Sequence, residues 1–383
     1  MYVSYYLMED GHSVTVVDTN SKEDRTSVNN AGFITPSFGP SPIALSRMLG
    51  AAIRPSGALY FSLREVVKDI PWFRMGLSRG MTGYEDVLSN LGQKSLGLYD
   101  EFFRKESVQV DLQYGVAALF SLEERAKKAA ELVKGKFLGT KEIGEMGYVG
   151  FGGGAYLDSQ VTVNPAKLFS ELRRVLEAEG AKMMLGKNAD LTRESDTKAQ
   201  LKVDGETVSA DAYVIAAGAR TRRLGKDLGY DPKILPARGM AMVFDTGGEK
   251  IIDTPAFFVD EGISLGQHNK DTFRMTSFFE LKGFDTEWNE SRREWFLKSA
   301  KAHIPAFDKM KLVEEGTGFR PCTPDQIPVV GQIPGYSNAW VASGTCREGV
   351  ILAPITGRIV ASMIAGKTLS DLPIQEISPA RFK

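Results

Sequence analysis

Apolar and polar residues alternate through Ser13-Val14-Thr15-Val16-Val17 and stop at Asp18, the two-residue rhythm of a short buried strand. Gly11, just before it, supplies a residue suited to ending a helix. A helix followed at once by such a strand predicts the second half of a dinucleotide-binding unit. Its first half is a strand and a glycine-rich turn that presents backbone N–H groups to a pyrophosphate. The rhythm changes to three-and-four spacing in "NPAKLFSELRRVLEAEGAK". There Leu168, Phe169, Leu172, Val175 and Leu176 share one helical face, with Pro165 at the entry and Gly180 at the exit. "LKVDGETVSA" predicts a hairpin turning at Asp204-Gly205. "DAYVIAAGAR" predicts a buried strand ending in the small residues Ala216, Ala217, Gly218 and Ala219, which leave room for a ligand or another backbone.

Two kinds of territory follow from the same patterns. Residues 44–149 read as mostly helical, with "LEERAKKAAELVKGK" a charge-laced surface helix. Residues 231–317 alternate strand-like runs such as "MAMVF" and "FRMTSFF" with charged helical text, as in a domain built on a mostly antiparallel sheet. "SVNNAGFITPSFGPSP" is a long loop by its Asn, Gly, Pro and Ser content, and loops of that length usually serve a function. "GFGGGAYLD" has the glycines of a phosphate loop but no following Lys-Ser or Lys-Thr, so a flexible turn is expected. Near the end, a strand from Ala339 to Ala342 runs into a turn at Ser343-Gly344, and a helix is expected near Ile355 to Ala365. The glycine-bearing segment between them offers backbone donors and a positive helix end to an electron-rich ring such as a flavin, whose reduced form is anionic.

Composition narrows the reading. At 383 residues the chain exceeds the size at which one core usually stops growing, so two domains are expected. Lys plus Arg (47) nearly balances Asp plus Glu (48), which argues against a nucleic-acid partner. Cys322 and Cys346 are too few for a disulfide framework or a zinc site, so no metal is expected and a reducing, cytoplasmic setting is favoured. No apolar run reaches membrane-spanning length and no signal-peptide pattern opens the chain; peripheral contact with a membrane stays open.

In order and spacing, "HSVTVVD", "NNAGFITPS", "ADAYVIAAGA", "GFRPCTPDQIPVVG" and "SGTCREGVILAPITG" resemble the FAD-dependent D-amino-acid oxidase superfamily. The nearest branch holds glycine oxidases, D-amino-acid dehydrogenases and dye-linked proline dehydrogenase subunits. The resemblance runs through nearly the whole chain. It implies an α/β protein with a glutathione-reductase-type Rossmann FAD domain assembled from residues 1–43, 150–230 and 318–383. An α+β substrate domain, from residues 44–149 and 231–317, would be inserted on its mostly antiparallel sheet.

The same resemblance implies site residues. Asp18 would bind the adenosine ribose, and Asn29, Asn30, Ala31, Gly32 and Phe33 would run beside the pyrophosphate and isoalloxazine. Ala217 and Gly218 would meet the cofactor at a strand end; Gly344, Gly349, Ile351 and Thr356 would border the flavin ring. Arg320 would anchor the substrate carboxylate, a task that suits a guanidinium fork which stays charged in an apolar pocket. Arg347, at the arginine of the related pattern "HYRNG", would be a second active-site arginine. Tyr156, Met240 and Phe278 are further pocket candidates.

The implied activity is oxidation of a small amino acid, a D-amino acid or a proline-like imino acid, to the imino acid by hydride transfer to non-covalent FAD. Electrons would leave to a quinone, dye or carrier protein, or to oxygen, and oligomerisation stays open. Alternatives are a flavin-deficient non-catalytic or assembly subunit, a glycine- or sarcosine-type oxidase, and a flavin-dependent enzyme modifying an RNA-attached amine. "GTC" stands where the family has "GHG" or "GHY", and neither cysteine aligns with a flavin-linking position. His12, His268 and His303 lie outside the motifs, so no catalytic histidine is expected. "SYYLMEDGHSVTVVD" matches the end of the family's first helix, which places Met1 just after the third glycine of its turn. The expectation is therefore that the chain starts at an internal methionine, that about a dozen residues belong before it, and that the Val14–Val17 strand lacks a neighbour on one side.

Overall fold

The computed structural model describes residues 1–20, 25–36, 57–79 and 84–382. A large curled sheet runs in the order Lys311–Cys322, Leu235–Asp245, Thr272–Leu281, Ile263–Gln267, Ala256–Phe258, Gln113–Phe120, Gly153–Thr162, Phe33–Ile34. Leu59–Phe61 and Lys136–Leu138 pair at its sides. Its joins are antiparallel except where Ala256–Phe258 meets Gln113–Phe120 and Leu59–Phe61 meets Thr272–Leu281. One face buries Phe273, Met275 and Phe278 with Phe296 and Ala300 of the helix Glu290–His303. The expected antiparallel sheet is there, and it also takes in Gly153–Thr162 and Phe33–Ile34, which lie in stretches assigned above to the FAD domain.

The expected flexible turn at "GFGGGAYLD" is instead strand from Gly153 onward. Its glycines serve close packing. A Cβ on Gly152 would sit 2.6 Å from Ser121 O, and one on Gly153 2.9 Å from the Ala126 methyl of the Glu123–Val133 helix. That helix is the charge-laced one, with Ala126 and Ala130 buried on its inner side.

Outside the large sheet the strands are short. Thr15–Asp18 pairs in parallel with Lys182–Leu185, and Tyr213–Ile215 in parallel with Ala339–Ser343, which pairs antiparallel with Val329–Gln332. The sequence leads one to expect a buried strand at Val14–Val17. Val16 and Val17 are only half-buried, and among the described residues Lys182–Leu185 is that strand's one partner. The hairpin at Asp204-Gly205 forms with φ of 49° and 89°, the pair of positive values a type I′ turn requires. Asn164 caps the helix Pro165–Ala178 by accepting from Ala166 N and Lys167 N, and Gly180 ends it at φ 91°. Phe169, placed on its core face by spacing, is instead 38% exposed, at the margin of the apolar stripe.

The helix that follows the Ala339–Ser343 strand spans Gly349–Ile364, six residues earlier at its start than the sequence pattern marks. Pro354 inside it cannot donate to the carbonyl of Val350. The Tyr99 hydroxyl, on the helix Tyr84–Glu106, donates to that carbonyl at 2.6 Å in its place. The Gly349–Ile364 helix also approaches the Tyr2–Glu9 helix so closely that a Cβ on Gly357 would lie 2.7 Å from the Tyr2 carbonyl carbon.

Candidate active site

The segment from Arg25 to Gly32 lies across the strand Lys311–Cys322, and glycines on the strand make room for it. A Cβ on Gly318 would meet Thr26 Cα at 2.8 Å, and one on Gly316 would meet the Asn29 amide at 2.5 Å. Thr26 Oγ1 donates to Phe319 O while Phe319 N donates back to Thr26 Oγ1, and Asn29 Nδ2 donates to Thr317 O. Asn30 turns inward: its Nδ2 donates to Thr26 O and Ser27 O, and its Oδ1 accepts from Gly32 N. Gly32 has φ 73°, and a Cβ there would overlap the Val163 carbonyl. The loop is thus shaped by Asn30 and Gly32 and fixed to the arginine-bearing strand. Its continuation, Phe33–Ile34, joins the sheet, with Phe33 half-buried. The rest of the expected loop, from residue 37, lies outside the described residues.

Arg320 extends from this strand across the bare α-carbon of Gly239 on the neighbouring strand. An added Cβ there would fall 2.3 Å from Arg320 Nη1 and 2.5 Å from Nη2. Nη1 donates to the Phe278 carbonyl at 2.8 Å, and among the described residues no carboxylate stands within ion-pair distance. Phe278 holds φ 70°, outside ordinary strand geometry, which offers that carbonyl to the guanidinium. Burial lowers the affinity of Arg320 for its proton to a pKa of about 10, with the like charge of Arg347 adding to the effect and Glu280 opposing it. Part of the Arg320 side chain and part of that of Arg347 remain accessible.

Arg347 follows the last parallel strand. Its Nη2 donates to Gln326 Oε1 at 3.3 Å, and burial lowers its pKa while Tyr84 and Glu348 oppose. The adjacent Glu348 is buried, its Oε1 has no hydrogen-bond partner, and burial raises its carboxyl to about 7 against the pull of Arg347. Glu348 stands at the start of the Gly349–Ile364 helix, where no side chain caps the first N–H groups. Those donors, the positive helix end and the Glu348 carboxyl lie next to Arg347 in the chain.

The other expected residues fall in varied places. Gly344 adopts φ 77° and is buried against Thr323 and Val329, so the turn there requires glycine. Gly349 opens the helix. Ile351 points into the core, and Thr356 Oγ1 donates to Leu352 O and Ala353 O of its own helix, so neither side chain faces an open site. Ala216 and Ala217 are exposed just beyond the Tyr213–Ile215 strand, and Gly218 begins a short turn of helix with φ 53°. Asp18 is exposed at the carboxyl end of its strand, where Oδ1 accepts from Asn20 N, and Ala31 is half-buried in the loop. Asp18 and Ala216–Ala217 both stand at carboxyl ends of parallel strands, the edge where such sheets receive nucleotides. With the uncapped helix start, this donor set fits an FAD. Of the pocket candidates, Met240 and Phe278 are buried in the core under the Glu290–His303 helix, and Tyr156 is half-buried.

One expectation is overturned. Cys322 and Cys346 are joined to each other by a disulfide, so the step from their small number to a reducing setting does not hold. A pair needs proximity and not number, and the backbone brings these two together: Cys346 N donates to Pro321 O, and Cys322 forms a β-bridge with Thr345. Sequence reasoning also missed Gly239, Glu348 and the ion cluster around Glu280. Among the described residues no helix is long and apolar enough to cross a membrane, and no group of three His, Cys, Asp or Glu could hold a metal.

Comparison with known proteins gives a consistent result. The family model described as FAD dependent oxidoreductase (DAO) matches residues 2–363. Glycine oxidase of Pseudomonas aeruginosa is 25% identical over 221 residues, which is 57% of this chain and 60% of that protein's length. Among solved structures, iminodiacetate oxidase from Chelativorans sp. BNC1 superposes with TM-score 0.77 at 17% identity, covering 99% of this chain and 95% of the other. Glycine oxidase from Geobacillus kaustophilus superposes with TM-score 0.77 at 20% identity and the same coverage of both chains.

Proposed function

Because the chain belongs to the FAD dependent oxidoreductase family, we propose that it oxidises a small amino acid to the corresponding imino acid. The substrate class is a D-amino acid or a proline-like imino acid. The observation that carries this reading is Arg320, a guanidinium laid over Gly239 that donates to the Phe278 carbonyl and, among the described residues, has no carboxylate in ion-pair reach. A half-buried cation in that state suits an anion from outside, and a planar fork matches a carboxylate bidentately. Arg347 adds positive charge to the same site.

Bound FAD supplies a two-electron acceptor for the hydride of the substrate α-carbon. This chain's residues bind and orient. Arg320 holds the carboxylate, so the α-carbon is presented in one direction. Glu348, neutral or ionised near neutral pH, can hold a proton beside Arg347. The uncapped first turn at Gly349 would offer positive partial charge to the negative charge a bound, reduced flavin carries. Asp18, Asn30, Ala31, Gly32, Phe33, Ala217, Gly218, Gly344, Ile351 and Thr356 belong in this reading to the cofactor's surroundings. Asn30, Ile351 and Thr356 would act by shaping backbone, since their side chains are engaged within the protein. With both thiols taken up by the disulfide, FAD is held without a covalent link. A quinone or carrier protein is the proposed electron acceptor.

The test is dye reduction by the purified protein across a panel of D- and L-amino acids, with flavin absorbance recorded before and after addition. Bleaching by a small amino acid, and release of yellow cofactor into the supernatant on acid precipitation, is the expected outcome. Colourless protein, or flavin unmoved by every amino acid, would sink the proposal. Colourless protein would instead favour a non-catalytic subunit.

A further inference from the structure

The Cys322–Cys346 disulfide joins the two chain segments that carry the arginines of the site. Arg320, Pro321 and Cys322 are consecutive on one strand, and Cys346 immediately precedes Arg347 on the loop. The two cysteine Cα atoms are 4.2 Å apart. Both residues are buried, packed with Phe61, Trp72, Phe73 and Phe279. Besides the bond, the two segments are joined here by the Cys346 N to Pro321 O hydrogen bond and the Cys322–Thr345 bridge.

Opposing these links is the like charge of Arg320 and Arg347, which lie on the two joined segments; the charge of Arg347 adds to burial in lowering the Arg320 pKa. In the absence of an anion, that like charge favours moving the loop away from the strand. We propose that the Cys322–Cys346 disulfide is a positioning pair for the carboxylate site, holding the Arg320 strand and the Arg347 loop at one spacing so that both cations serve a single carboxylate. This rests on the reading of Arg320 as the carboxylate anchor. A covalent staple keeps the site assembled before the ligand arrives; without it, binding must also supply the free energy of reassembly. Opening the staple by a phosphine breaks the S–S bond, gives each sulfur a hydrogen from water and leaves the water oxygen on phosphorus, so two electrons pass from phosphorus to sulfur.

The experiment uses the flavin-loaded protein purified without reductant and acetate as the carboxylate probe. Acetate binding is read by calorimetry and by the shift in flavin absorbance. The denatured protein should show no titratable thiol until it is treated with phosphine. Reduction, and independently the Cys322→Ala, Cys346→Ala double variant, should weaken acetate binding by about tenfold, as expected for coupled neighbours. In an Arg320→Ala background the same loss of the disulfide should leave the residual acetate affinity unchanged, which a general loss of structure would not do. Free thiols in the air-purified protein would overturn the inference. So would unchanged acetate affinity after reduction, or an equal penalty with and without Arg320. If the double variant fails to fold, the phosphine-treated protein decides the matter; if the folded protein resists phosphine, the variant does. An Arg320→Ala protein that binds acetate as well as the parent defeats the underlying functional reading, whatever the disulfide does.

Discussion

Arg238 and Arg320 lie one step apart in the same pair of strands, Ala237 facing Arg320 and Arg238 facing Phe319, so their side chains leave opposite faces of the sheet. On one face Arg238 is fully enclosed. It faces Glu280 across the ladder, donates to its carboxylate at 2.6 Å from Nε, and donates from Nη1 to the Asp285 and Glu287 carbonyls. Arg292 completes the neutralisation of Glu280 at 2.6 Å and lays its guanidinium over the Phe278 ring. On the other face Arg320 has a carbonyl and a second cation for company. The same residue type on the same pair of strands is fully enclosed and ion-paired in one case, and in the other is half-buried with no carboxylate within ion-pair distance among the described residues. In the proposed reading, what separates the structural arginine from the ligand-binding one is whether the described residues supply the counter-charge.

The comparison can be broken from either side, and the largest effect is expected on the closed face. Glu280→Ala leaves Arg238 and Arg292 buried without their carboxylate, and should cost about 3 to 5 kcal/mol of stability in a denaturant titration. A variant as stable as the parent would mean that this cluster is not what neutralises Arg238. On the open face, Arg320→Ala should weaken binding of a small carboxylate by about 2 to 5 kcal/mol in calorimetry. Its stability should hold or rise, because an enclosed like charge beside Arg347 is removed. Matching stability losses in the two variants would erase the distinction drawn between them.

A smaller effect is expected from Gly239→Ala, which adds a methyl group where the Arg320 guanidinium rests. Displacing that group should cost about 1 to 3 kcal/mol, the usual scale for overfilling a packed site. The loss should appear mainly in carboxylate affinity, since the backbone at Gly239 is not in the left-handed region. A variant with full affinity would show that the guanidinium does not need that position. The smallest expected effect lies away from both arginines, at His268. Burial, helped by Arg274, holds its pKa near 3, below its ordinary 6.5. The unfolded chain therefore binds a proton over that interval that the folded chain refuses. This contribution to stability is whole above about pH 6.5 and drains as the pH falls toward 3. His268→Gln should flatten the decline of melting temperature between about pH 7 and pH 4.5 relative to the parent. Identical pH profiles would place the acid sensitivity elsewhere.

Much of the architecture was legible because periodicity reports on burial. The Asp204-Gly205 hairpin, the Asn164-capped helix and the strands of residues 235–281 follow from local chemistry that the fold does not override. Where tertiary contact decides, the sequence pattern misleads. The three glycines at residues 152–154 imitate a flexible turn because the Cβ atoms they lack would strike Ser121, Ala126 and Leu119, neighbours distant in sequence. Pro354 hides the start of the Gly349–Ile364 helix because the hydroxyl that replaces its missing donor comes from residue 99. Arg320 could be named from its motif, whereas Gly239, which makes room for it, carries no local signal; nor do Cys322 and Cys346 announce a bond across 24 residues.

The contact between Tyr99 and the Val350 carbonyl has a mechanical meaning. An ordinary helix transmits tilt from turn to turn through its own ladder of hydrogen bonds. Here one rung is missing at Pro354, and the first turn, at the edge of the arginine site, is splinted to a different helix by a phenol. The orientation of those N–H groups is therefore set by the Tyr84–Glu106 helix as well as by the helix they begin, and displacement of that neighbour would re-aim them without unwinding anything.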